Sequence, residues 1–63
     1  MADYKFNKGQ IVFFTPPMHS AAPRGSYEVT QRLPMSDGEF QYRIKSQHEE
    51  YERVAKESQL SPI

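Results

Sequence analysis

Cysteine and tryptophan are both absent from this chain of 63 residues, and its eight basic and eight acidic side chains leave no net charge. Without cysteine there is no disulfide, no thiolate nucleophile and no thiolate metal ligand, a composition that fits a reducing compartment. Long apolar runs are also missing. Nothing approaches the roughly 20 residues a membrane helix needs, and MADYKFNKGQ has no apolar stretch behind a basic start. Neither a membrane span nor a signal peptide is expected, and the chain reads as cytoplasmic. Balanced charge removes any global field that would draw it to nucleic acid or to a membrane. Length sets a further limit, since a chain this short buries only about 60% of its unfolded surface. One domain over residues 1–63 is expected, with little room for a buried cleft and a core built from aromatics.

The charge that is present is unevenly spread. Up to Ser46, Lys5, Lys8, Arg24, Arg32, Arg43 and Lys45 outnumber Asp3, Glu28, Asp37 and Glu39, whereas Glu49, Glu50, Glu52 and Glu57 then outnumber Arg53 and Lys56. The most legible stretch, Gly25 to Ser46, reads as a β-hairpin. Tyr27, Val29, Gln31 and Leu33 alternate with Glu28, Thr30 and Arg32, and Phe40, Tyr42 and Ile44 alternate with Gln41, Arg43 and Lys45. Asp37 and Gly38 accept the positive φ of a tight turn. A two-residue turn there sets Met35 opposite Phe40, Leu33 opposite Tyr42 and Gln31 opposite Ile44. It also sets Arg32 across from Arg43, with Lys45 next on that face, an arrangement of like charges that needs an anion or a carboxylate between them. Pro34 cannot donate to a ladder and marks a bulge, a sheet edge or a wider loop.

Ahead of the hairpin, Met1 to Asp3 are expected to be loose, and Asn7, Lys8 and Gly9 form a turn before a strand over Gln10 to Phe14. Val12 and Phe14 are placed inside. Ile11 and Phe13 share the opposite face, where the aromatic amino terminus or the following loop covers them unless a partner does. Thr15 to Arg24, TPPMHSAAPR, is irregular because Pro16, Pro17 and Pro23 remove donors and fix φ. It is either a binding loop carrying Met18, His19 and Arg24 or a connector stiffened by proline. Two readings fit the tail. Ser46 with Glu49 has the capping-box spacing of a helix of about three turns. Alternatively, a short turn over Gln47 to Glu50 leads to a strand over Tyr51 to Ala55 and a single turn over Glu57 to Leu60, with Leu60 plugging a barrel.

The residues YRIKS at Tyr42 to Ser46, ERV at Glu52 to Val54 and ESQL at Glu57 to Leu60 resemble short uncharacterised bacterial proteins, chiefly alphaproteobacterial. That resemblance covers most of the chain but brings no activity and so no functional residue. The layout is similar to an SH3-like small barrel: strand, long loop, hairpin, strand and a closing helical turn. It implies a mostly β fold that binds peptides, modified tails, nucleic acid or other subunits. A proline-rich ligand is not implied, since the long loop is not acidic and the tryptophan of such grooves is missing.

Catalysis has little to work with. Ser20 beside His19 lacks an orienting group, and Glu49, Glu50 and Glu52 read as a solvated acidic face. His19 and His48 are expected to be surface histidines, and no metal or cofactor is expected. Two binding readings remain. In the first, Ile11, Phe13 and Met18 form a contact surface for an unidentified protein or a second copy. In the second, Arg24, Arg32, Arg43 and Lys45 meet phosphates, with Tyr4 or Phe13 as a stacking surface.

Overall fold

The hairpin turn forms where the sequence places it, with Asp37 and Gly38 at φ 53° and 82°, the left-handed values a two-residue turn requires. In the computed structural model, which describes residues 3–63, this turn joins β2 (Gly25–Ser36) to β3 (Glu39–Lys45). The other strands are β1 (Ile11–Phe14), β4 (Glu52–Lys56) and β5 (Leu60–Pro62), with one 3₁₀ turn, Glu57–Gln59, between the last two. All five belong to one antiparallel sheet of order β4-β3-β2-β1-β5. Among the described residues no helix is long and apolar enough to cross a membrane. Of the loose start expected for Met1 to Asp3, Met1 and Ala2 lie outside the described residues.

Two bulges reorganise the hairpin. Pairing starts at Ser36 with Glu39 and Met35 with Phe40, but Pro34 then stands as an extra residue, so Leu33 pairs with Gln41, Arg32 with Tyr42 and Gln31 with Arg43. A second extra residue, Thr30, brings Val29 opposite Ile44 and Glu28 opposite Lys45. Its hydroxyl donates to the Arg43 carbonyl at 3.1 Å. Because side chains alternate with period two, each bulge turns β2 over. Gln31 and Leu33, expected opposite Ile44 and Tyr42, therefore share rows with Arg43 and Gln41, while Arg32 shares one with Tyr42. The expected pairing of Arg32 with Arg43 does not exist.

The sheet's two edges, β4 and β5, are consecutive in the chain. Lys56 and Leu60 are separated by only three residues, whereas four flat interstrand spacings would span about 19 Å. The sheet must bend to bring its edges together, and the bulged β2 supplies part of that bend. Thr15 N–H donates to the Gln59 carbonyl at 2.9 Å, which ties the start of the proline loop to the turn. No ladder joins β4 to β5, so the sheet stays open between them.

The tail follows the strand reading. Ser46 Oγ accepts from His48 N–H at 3.1 Å and the Ser46 carbonyl from Glu49 N–H at 3.4 Å, but the chain turns only once before β4. The capping-box signal is local, and it loses to the ladder that sets Ala55 beside Tyr42 and buries it. Leu60 is likewise buried.

Inside the curve lie Phe6, Val12, Phe14, Tyr27, Val29, Tyr42 and Ile44. Tyr4 stacks on Phe40 with centroids 4.0 Å apart, and Phe6 meets Tyr42 edge-on at 5.5 Å. The Tyr42 hydroxyl accepts from Lys5 N–H at 3.1 Å and donates to the Glu57 carboxylate. Burial, reinforced by that bond to Glu57, pushes its pKa up to about 12.

Truncation distinguishes the bulged register from the regular one. Ile44→Ala is expected to cost about 2–5 kcal/mol, most of the stability of a domain this small. Leu33→Ala, on a half-buried side chain in the Gln41 row, is expected to cost about 1 kcal/mol or less. Urea denaturation of both variants checks the contrast, and a Leu33 cost equal to that of Ile44 contradicts this register.

Candidate binding surface

The registers place outward side chains of the sheet in rows. Ser61, Phe13 and Ser26 form one; Ile11, Glu28, Lys45 and Glu52 the next; Gln31, Arg43 and Val54 a third. Polarity divides across these rows. Lys45 stands between Glu28 and Glu52, and Arg43 Nε lies 3.7 Å from Glu52 Oε1. Arg43 is thus paired with Glu52, and Lys45 and Glu28 are adjacent without an ion pair among the described residues, so the formal charges of these four side chains cancel.

The four basic residues proposed as an anion site do not converge. Arg43 and Lys45 lie on the outer face, while Arg32, turned over by the Pro34 bulge, lies with its guanidinium 4.9 Å from the centroid of the Tyr4 ring. Tyr4 is itself fixed by stacking on Phe40 and by donating its hydroxyl to the Leu33 carbonyl at 2.9 Å. It offers no free stacking platform. Arg24 precedes β2 at the end of the proline loop.

At the β1 end the face is apolar and uncovered. Ile11 is 42% exposed and Phe13 38%. The amino-terminal aromatics pack on the inner side against Tyr42 and Phe40 and do not reach this strip. Met18, at 93% exposure, does not cover it. Its loop is shaped by Ser20, whose backbone N–H donates to the Pro17 carbonyl at 3.0 Å and whose Oγ accepts from Ala22 N–H at 3.1 Å. Ser20 thus serves the loop's geometry and has no hydrogen bond to His19 among the described residues. Continuing the β1–β5 register past Val12 and Pro62 sets Ile63, also exposed, beside Ile11. Ile63 escaped the sequence reading because its neighbour depends on the β1–β5 register, which no local pattern encodes.

A second feature was equally hidden. A cavity of about 550 Å³ opens between the end of the proline loop, at Pro23 and Arg24, and the turn after β3, at Gln47 and His48. A smaller one of about 210 Å³ includes Ile11 and Glu28, and the two share Ser26, Tyr27 and Gln47. The Tyr27 hydroxyl donates to the Pro23 carbonyl at 2.7 Å, which holds the loop end over the cavity. Glu49 also lines the cavity; Arg53 donates to both of its carboxylate oxygens, at 3.2 and 2.9 Å, and Tyr51 donates to the same carboxylate at 2.9 Å. The bonds from Arg53 and Tyr51 hold the Glu49 carboxyl below its ordinary range.

Among the described residues no three His, Asp or Glu side chains converge to hold a metal. His19 lies exposed on the loop and His48 on the cavity wall. Compared with known proteins, the chain matches no family model, no curated protein and no solved structure.

The balance of charge around Arg43 and Lys45 has a measurable consequence. The native chain is expected to show no amide shifts at either residue with single-stranded or duplex oligonucleotide at low salt. A Glu28→Gln/Glu52→Gln variant, which frees both cations, is expected to gain weak binding that vanishes as salt rises. Binding by the native chain at these residues contradicts the assignment.

Proposed function

We propose that the chain is a non-catalytic interaction module, a small SH3-like barrel working in the cytoplasm, that binds a protein partner through the outer strip of Ile11, Phe13 and Ile63. The observation that carries the reading is the exposure of Ile11 and Phe13 side by side on β1. Phe13 is flanked by Ser61 and Ser26, both small and uncharged, while Ile11 has Glu28 beside it on β2. Interface cores are depleted of charge and enriched in aromatics, and Ile11, Phe13 and Ile63 combine both features, whereas Glu28, Arg43, Lys45 and Glu52 crowd the middle of the outer face. In support of the barrel, the element order is strand, long loop, hairpin, strand, 3₁₀ turn and short strand, with both sheet edges brought together at that turn. The short alphaproteobacterial proteins it resembles are the relatives this reading proposes, and they add no activity to it. Neutralised outer cations weigh against a nucleic-acid role.

An Ile11→Lys/Phe13→Lys variant checks the proposal. Both side chains project outward, so the fold is expected to survive with a change of about 1 kcal/mol or less. Self-association in sedimentation, or co-purification of the native partner, is expected to be lost. A native chain that sediments as a clean monomer, together with a variant that retains every co-purifying protein, overturns the reading.

A further inference from the structure

The chemistry of the partner can be drawn from what adjoins the strip. We propose that the surface takes an extended acidic peptide segment, with a carboxylate side chain in the larger cavity beside Arg24 and an apolar side chain over Ile11. This rests on the strip being the binding surface. Three observations carry it. First, the two cavities adjoin, with Ser26, Tyr27 and Gln47 lining both, and the smaller reaches Ile11. A ligand lying along them touches both ends.

Second, the charge in the larger cavity is uncompensated. Arg24 takes part in no ion pair or side-chain hydrogen bond among the described residues. Glu49, the carboxylate on its wall, is already occupied by Arg53 and Tyr51. Ser26 and Gln47 add neutral hydrogen-bonding groups, so the field favours an anion in the partner.

Third, Glu28 fixes the direction. It lines the smaller cavity beside Ile11, where it repels an acid, so the carboxylate belongs at the Arg24 end and the apolar group at the other. An extended peptide places alternate side chains on one face about 6.5–7 Å apart, which lets residues two apart enter neighbouring cavities. A nucleic acid would bring phosphates along its whole length past Glu28, with Arg24 the one arginine or lysine lining the two cavities.

The test uses the full chain, labelled with nitrogen-15. It is titrated with an array of blocked pentapeptides carrying Asp or Glu two residues from Ile, Val, Leu or Phe, and with a matched array carrying Asn or Gln instead. Members of the acidic array are expected to shift the amides of Ile11, Ser26, Gln47 and His48. The matched amides, and Arg24→Gln against the acidic array, are expected to bind about tenfold or more weakly. The proposal is overturned if no acidic member shifts these amides at millimolar concentration, if the matched array binds equally, or if acetate or a single-stranded oligonucleotide alone reproduces the shifts. The two readings separate cleanly. Should Arg24→Gln keep the native partner that Ile11→Lys loses, the acidic peptide is wrong and the strip stands; should Ile11→Lys also keep it, the strip itself is wrong.

Discussion

The buried hydroxyl of Tyr42 is where three distant pieces of chain are fastened together. It sits on β3, accepts backbone N–H groups from Lys5 and Phe6, and donates to Glu57 at the 3₁₀ turn. Lys5 N–H reaches the same Glu57 carboxylate at 3.1 Å. A buried phenol without partners would cost a full desolvation penalty; here the partners are the amino-terminal segment and the turn between the sheet's edges. Through them Phe6 and Tyr4 are laid on the inner side of the sheet, and β5 is delivered back to β1. The amino-terminal aromatics are committed inside by this arrangement, so none is left to cover β1 from outside. Exposure of Ile11 and Phe13 is thus a consequence of how the core is assembled.

The bulges at Pro34 and Thr30 have the same kind of reach. Each reverses which side of β2 faces the core; the one at Pro34 sends Arg32 to the inner row beside Tyr42, and Arg43 is left beside Glu52. A regular hairpin would have stacked two arginines across one face. The bulged one separates them by the thickness of the sheet and pairs Arg43 with a glutamate from the next strand. The formal charges of Glu28, Arg43, Lys45 and Glu52 on the outer face cancel, which leaves the apolar strip on β1 as its uncharged end.

Much of this was legible where the signal is local. Asp37 and Gly38 fixed the turn, the parity of Val12 and Phe14 placed them in the core, and Leu60 was readable as a plug once a strand preceded it. Pro34 announced an irregularity because it lacks a donor. Thr30 did not, since a threonine in a strand is ordinary and only its bond to the Arg43 carbonyl marks the second bulge. The tail was ambiguous for a related reason: Ser46 and Glu49 carry a helix-start pattern, while the strand's advantage lies in pairing with β3, which no nearby residue reveals. Neither Ile63 beside Ile11 nor Arg24 beside His48 was readable, as both juxtapositions depend on contacts remote in sequence.

On the proposed reading the β1 strip, and not the basic part of the hairpin, is the surface covered by another molecule. Carbene footprinting of the chain inside its native cells, compared with the purified chain, tests it directly. Ile11, Phe13 and Ile63 are expected to be protected in cells, while Val54 and Met35, which are also exposed, react as they do in isolation. Equal labelling of all five, or protection confined to Arg43 and Lys45, contradicts it.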